Sequence, residues 1–297
     1  MITSLNLDEA NLNNQGRYII ITAMRNEINT VEFTVNSVLK QSQLPKLWVI
    51  LDDGSTDGSS EVIEGYALKF PWIVRVSVPD RGFDLVGKGV ADLIKYGLSL
   101  INSIEVEFVA KLDADLDFDA DYFESLLSEM DADQNLAIVS GHPYVLKDGR
   151  KMLERHSDYF PSGTARLYRY KYLQEIGSFV SSVGWDTVDL LRMMMRGYKT
   201  KIVHSVLIHH MRRMGTRLGY LDGMIRDGRN NYITGYPVVF FVLRSIYNAK
   251  YYPYIVRTLC MLYGYLMASI KKIPRAVTEE EHKFHADLQT KRIKNIL

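Results

Sequence analysis

The sequence predicts an α/β fold: a mostly parallel, doubly wound sheet flanked by helices, with a helical C-terminal extension. Three observations predict it. Over the first 140 residues, short apolar runs rich in β-branched residues alternate with segments of helical periodicity. Each of three polar clusters follows one of those runs directly: Arg25-Asn26-Glu27, Asp52-Asp53-Gly54-Ser55-Thr56-Asp57, and the acids from Asp113 to Asp119. Beyond residue 216 only helical patterns remain. Ligands of parallel sheets lie at the carboxyl ends of the strands, so the three clusters should converge on one edge.

Residues 17–23, Arg-Tyr-Ile-Ile-Ile-Thr-Ala, read as a buried parallel strand. Residues 28–41 place Val31, Val35, Val38 and Leu39 at helical spacing. Pro45 punctuates, and residues 47–51 form a second strand. Ser55 or Thr56 is expected to cap the helix that runs on to about Phe70. Residues 73–78 make a third strand, 82–89 a glycine-rich loop and 90–101 a helix. The fourth strand, 106–112, is apolar except for Glu107 and Lys111. A helix over 122–130 and a strand over 136–141 follow. After Pro143 the alternation loosens. A strand is expected at 165–168, a short helix at 171–176, a helix opening near Asp186 and closing at Gly197, and one or two short strands at 201–208.

The chain has 297 residues, 47% of them hydrophobic and 24% charged, an ordinary globular composition. Cys260 is the single cysteine, which excludes a disulfide framework and a cysteine-based zinc site. Residues 1–16 form a polar tail with no apolar signal segment, so a cytoplasmic protein is expected. The formal net charge of +1 conceals an asymmetry: +9 over residues 204–297 against −8 over the first 203. The basic rear suits phosphates or an anionic membrane face. No nucleic-acid partner is expected. Residues 258–270 carry no charge but are shorter than the roughly twenty a membrane span needs. With the tyrosines nearby, residues 236–275 read as an amphipathic helical pair. It either packs on the first domain or lies on the inner face of an anionic plasma membrane, making the protein peripheral.

The acids at 113–119 begin where a buried strand has to end, because unpaired carboxylates are costly in a core. Acids at such a strand end suit a divalent cation that holds a phosphorylated ligand. A solvated turn with surface acids is the plainer alternative. Asp186, at the start of its helix, fits either a capping role or a side chain projected into a site.

With these clusters placed, the chain resembles the family-2 glycosyltransferases of GT-A, Rossmann-like fold, over about residues 17–210. Besides the three strand-end clusters, the resemblance rests on Gly163-Thr164-Ala165-Arg166, Ile176-Gly177-Ser178-Phe179, Gly184-Trp185-Asp186-Thr187 and Arg196-Gly197-Tyr198-Lys199. It implies a catalytic domain over 17–215, with a nucleotide-sugar half at 17–142 and an acceptor half at 143–215, followed by a helical region at 216–297. It implies inverting transfer of a sugar from a nucleotide-diphosphate donor to the hydroxyl of a glycan or lipid-linked glycan, in cell-surface or extracellular polysaccharide assembly. Arg25, Glu27, Asp52, Asp53, Lys88 and Asp113 would then face the nucleotide sugar. Asp115 and His209 would hold Mg²⁺ or Mn²⁺, Asp186 would be the general base, and Trp185 and Arg212 would face the acceptor. Trp185 stands where the family commonly has Glu, and an indole there would suit stacking on a sugar. The alternative is a degenerate transferase acting as a sugar-binding or scaffold subunit. A sugar-nucleotide pyrophosphorylase would need a glycine-rich loop after the first strand. A dehalogenase-type phosphatase would need Thr where Asp117 stands.

Overall fold

The β-branched start of the chain becomes β1 (Tyr18–Met24), buried along its whole length. It is followed by α1 (Val31–Leu39), β2 (Leu47–Asp53), α2 (Ser59–Lys69), β3 (Ile73–Val78), α3 (Lys88–Leu100) and β4 (Phe108–Leu112). Next come β5 (Leu116–Phe118), α4 (Tyr122–Ala132), β6 (Leu136–Lys147), β7 (Arg150–Leu153), β8 (Ala165–Arg169) and α5 (Tyr170–Glu175). The chain continues through α6 (Trp185–Met195), β9 (Lys199–His210), α7 (Tyr220–Ile233), α8 (Val238–Asn248), α9 (Ile255–Ile270) and α10 (Glu279–Lys294). This computed structural model describes residues 12–13, 15–79, 87–154, 156–211, 220–249 and 255–294. They fall into two compact units: Met1–Ser178 with Gly197–Arg212, and Phe179–Arg196 with Arg213–Leu297.

The first unit is organised by one mixed sheet, ordered β3-β2-β1-β4-β8-β6-β9-β5, with β7 paired to β6. The front is parallel, as the alternating pattern requires: β2 lies beside both β1 and β3, and β4 beside the other edge of β1. β8 enters antiparallel between β4 and β6, while β6 and β9 pair in parallel. The strand order therefore reverses at β1, which opens a crevice at the carboxyl ends of β1, β2 and β4. The core gathers Tyr18, Ile20, Met24, Trp48 and Ile50 from the sheet with Val31, Val35 and Val38 of α1 and Phe123, Leu126 and Leu127 of α4. Trp48 is satisfied inside it, its indole N–H donating to Thr22 Oγ1 at 2.9 Å.

Three details differ from expectation. β5 occupies what reads as an acidic turn, because Leu116 and Phe118 bury inward while Asp117 faces out. β9 is a single strand of 12 residues, longer than the one or two short strands expected, with an irregularity opposite Gly141 and His142. The expected Ser55 or Thr56 cap is replaced by Gly58, at φ 97°. Asp57 supplies the missing acceptor, taking the backbone N–H of Ser59 at 3.0 Å.

The second unit is helical. α7 and α9 meet backbone to backbone at two glycines. A Cβ on Gly228 would lie 2.0 Å from the Met261 carbonyl oxygen, and one on Gly264 would lie 1.9 Å from that of Ile225. Phe241 of α8 stacks on Tyr265 of α9 with centroids 4.4 Å apart. α10 opens with a capping box: Thr278 Oγ1 accepts the Glu281 N–H at 3.2 Å, and the Glu281 carboxylate accepts the Thr278 N–H at 2.8 Å. Arg192 of α6 donates to Glu281 at 2.7 Å, so α6 is anchored to α10.

Candidate functional site at the carboxyl edge of the sheet

Backbone register brings the strand-end clusters to one edge. Met24 pairs with Asp52, Asp52 with Ser77, and Ile21 with Lys111. The first two clusters are then stitched together. Arg25 donates to the Asp53 carbonyl at 2.7 Å. Asn26, in the left-handed region at φ 54°, accepts the Thr56 N–H at 2.8 Å, and its own N–H reaches Ser55 Oγ at 3.0 Å. The Glu27 N–H donates to Ser59 Oγ at 2.8 Å, and its buried carboxylate accepts from Thr30 Oγ1 at 2.9 Å. Asp52, also buried, accepts from the Ser55 N–H at 3.0 Å, from Ser60 Oγ and from Arg75 at 3.2 Å. Arg75 lies on β3 and was not singled out in the sequence.

The third cluster is held from two sides. Thr34 of α1 both accepts the Leu116 N–H and donates to the Leu116 carbonyl, each at 2.9 Å. Ser37 of the same helix donates to Asp117 at 2.9 Å, so Asp117 shapes the corner. On the other side, Lys111 is buried and its ammonium donates to Asp113 at 2.5 Å and to the Gly163 carbonyl at 2.6 Å. The Asp113 N–H donates to the Thr164 carbonyl at 2.8 Å. Burial raises the Asp113 carboxyl above its ordinary value; Lys111 pulls it down, and the neighbouring Asp115 pushes it up.

The 161–164 loop that receives these bonds is itself held by Arg166. This fully buried guanidinium donates to the Pro161 carbonyl at 2.6 Å and to the Ser162 carbonyl at 3.2 Å. Arg166→Met would leave those acceptors without their charged donor. Each orphaned buried acceptor costs about 1–3 kcal/mol, so a loss of about 2–6 kcal/mol is expected from the two. Chemical denaturation of the variant checks this, and an unchanged midpoint would show that the loop does not depend on Arg166.

Asp115 is buried beside a histidine, and that histidine is His210, whose Nε2 lies 3.5 Å from its carboxylate. The other ring nitrogen is 3.4 Å from Glu154. Burial pushes the His210 imidazole down, but the Asp115 and Glu154 carboxylates outweigh it and lift it to about 10. Burial likewise pushes Glu154 up, but His156 and His210 hold it at about 2. His209, expected as the metal-binding histidine, lies one position away on the strand and pairs with Asp117, while His210 pairs with Leu116. Its ring instead stacks on Tyr144, with centroids 5.0 Å apart. Alternation along a strand turns neighbouring residues to opposite faces, so one step separates the two roles. Glu154, which follows β7, gives no signal in the sequence.

Lys88 opens α3, and its ammonium is paired with Asp92 at 2.6 Å. Arg212 lies outside the described residues. In the second unit, Gly184 at φ 71° holds the cap position of α6 and Asp186 sits in the first turn. Trp185 is 6% exposed, with Phe179 edge-on at 5.0 Å. That corrects the expectation of a sugar-stacking platform: the indole is a packing group, as an apolar side chain on the inner face of a helix should be. Among the described residues no group of three His, Cys, Asp or Glu is arranged to hold a metal ion. The donor chemistry nonetheless suits one, since Asp113 and Asp115 offer hard carboxylate oxygens at a strand end.

Comparison with known proteins gives a consistent picture. The family model for glycosyl transferase family 2 matches residues 19–187. A poly-beta-1,6-N-acetyl-D-glucosamine synthase of Staphylococcus epidermidis is 29% identical over 126 residues, which cover 42% of this chain and 28% of the synthase. The chain thus spans well under half the length of that relative. Among solved structures, a mannosyltransferase from Pyrobaculum calidifontis in complex with GDP-Man and Mn²⁺ superposes at a TM-score of 0.56. It is 16% identical and covers 96% of this chain and 82% of its own. The S. aureus TarS fragment 1–349 with UDP-GlcNAc gives 0.51 and 16%, covering 91% and 78%. GalNAc-T7 with UDP, GalNAc and Mn²⁺ gives 0.55 and 13%, covering 88% and 57%. At these identities the likeness is one of fold.

Proposed function

The chain belongs to glycosyl transferase family 2, and on that premise we propose that it transfers a sugar, with inversion, from a nucleotide-diphosphate donor to an acceptor hydroxyl. One observation carries the reading: three acid-bearing turns, tied by hydrogen bonds, crowd the carboxyl edge where the strand order reverses at β1.

The donor is held in the first unit. Glu27, Asp52 and Asp53 line the nucleoside pocket, with Arg25 beside them, and Lys88 would exchange its pairing with Asp92 for the diphosphate. Asp113 and Asp115, with His210 rather than His209 beside them, would hold Mg²⁺ or Mn²⁺. When bound, that cation supplies positive charge for the departing diphosphate. Asp186 acts as general base. As the acceptor oxygen bonds to the anomeric carbon, Asp186 takes the hydroxyl proton. The bond from that carbon to the diphosphate oxygen breaks, and the nucleoside diphosphate leaves with the electron pair. A single displacement of this kind needs one carboxylate base and no carboxylate nucleophile. The catalytic domain on this reading is 17–215, and acceptor binding is assigned to Arg212.

The complexes of the mannosyltransferase and TarS with sugar nucleotides support a donor of that class. The similarity to a polysaccharide synthase supports an acceptor that is a growing glycan, free or lipid-linked, and a role in polysaccharide assembly. A cytoplasmic site of action is part of the same proposal. The test is hydrolysis of a panel of sugar nucleotides with Mn²⁺ and again with chelator. Release of one nucleoside diphosphate, dependent on the cation, is the expected result. Tight nucleotide binding with no turnover of any donor would favour the scaffold reading instead.

A further inference from the structure

Two helices of the second unit carry an apolar side that the unit does not use. α9 buries Thr258, Met261, Gly264, Tyr265 and Ala268. Leu259, Leu266 and Ile270, on the opposite face, are 59%, 57% and 64% exposed. α8 repeats the arrangement: Phe241 and Ser245 are buried, while Val239, Leu243 and Ile246 are exposed at helical spacing. The two helices are fixed to each other by the Phe241–Tyr265 stack and by Thr258 Oγ1 donating to the Ser245 carbonyl at 2.8 Å. The outward stripes therefore belong to one rigid pair. Lone exposed apolar residues are ordinary, but two full helical stripes are not.

Charge says what covers them. From residue 228 to 278 the chain contains seven Lys or Arg and no Asp or Glu, although Asp and Glu make up 35 of its 297 residues. Lys271 and Lys272 follow directly on exposed Ile270, and both are exposed. No helix among the described residues is long and apolar enough to cross a membrane. An apolar stripe on a short helix, flanked by cations and cleared of acids, matches the interface of an anionic bilayer: acyl chains take the stripe and headgroup phosphates take the lysines.

We propose that the outward faces of α8 and α9 seat this protein on an anionic lipid bilayer as a peripheral, non-spanning anchor. This stands on the helical pair alone and would survive failure of the transferase reading. The test is flotation of the full chain with vesicles of phosphatidylcholine, alone or mixed with phosphatidylglycerol, at low and raised salt. Binding to the anionic vesicles, weakened by salt, is expected. Lys271→Glu with Lys272→Glu should lower anionic-vesicle binding about thirtyfold, at about tenfold for each 1.4 kcal/mol. Leu243→Glu with Leu259→Glu should abolish it without changing the helical circular dichroism. Three results would overturn the proposal. One is a chain that stays with the soluble fraction beside anionic vesicles, and another is equal binding to neutral and anionic vesicles in every variant. The third is a solution dimer that the leucine pair of substitutions converts to monomer with no vesicle binding, which would assign the face to a second copy.

Discussion

Asp186→Asn is expected to lower turnover by roughly 10²–10⁴-fold while leaving nucleotide affinity almost unchanged. The substitution keeps the shape of the side chain and removes only its ability to take a proton. An acceptor hydroxyl is a poor nucleophile without that base, so the loss should fall on turnover. Asp186 lies in the first turn of α6, where Gly184 already holds the cap position. A purely helical role would therefore predict a small stability change and normal turnover. Steady-state kinetics beside nucleotide titration separates the two outcomes, and normal turnover would remove Asp186 from the mechanism.

Asp115→Ala should have the second large effect, of a different kind. Nucleotide binding should lose its response to Mn²⁺, with affinity in the presence of the cation falling roughly a hundredfold or more. Neutralising a diphosphate is worth several kcal/mol, and each 1.4 kcal/mol is tenfold. Binding without the cation should change little. Calorimetric titration with and without Mn²⁺ checks this, and an unaltered response would place the cation elsewhere. Removing Asp115 also takes one of two carboxylates from His210. The imidazole would then titrate below its present value of about 10. The sign follows from linkage. A raised imidazole stabilises the fold fully below its ordinary value and loses that contribution as pH climbs through 10. The variant's stability deficit should thus be largest near neutral pH and should vanish as pH climbs past about 10.

The parallel front of the sheet was legible because a strand buried on both faces writes itself as a continuous apolar run. β1, β2 and, but for Lys111, β4 do so, while β3, at the edge of the sheet, is only partly buried and carries Arg75 and Ser77. Their shared edge was legible because acids cannot continue such a run. Lys111 was visible as an oddity in a buried strand, but its partners were not. Asp113 is two residues away, whereas Gly163 comes from a loop that reaches β4 only through the antiparallel insertion of β8. β5 was hidden for a related reason. Leu-Asp-Phe is too short to carry a period, and it becomes a strand because Thr34 and β9 satisfy its backbone. His209 and His210 are adjacent and chemically identical, so only register distinguishes them. Glu154 meets His210 through pairings among β6, β7 and β9 that no local pattern encodes.

The position of β5 also bears on how the protein is made. Its ladder partner is β9, and β9 is the last strand of the sheet to be synthesised. At ordinary elongation rates the acidic corner leaves the ribosome on the order of ten seconds before its partner exists. During that interval β6 and β5 both present bare edges, the kind of surface that invites pairing with another chain. A nascent chain halted before residue 199 would hold the acids without the strand that fixes them, and its exposed edges would make it prone to aggregate. The corner is thus translated well before β9, the strand that gives it its final form.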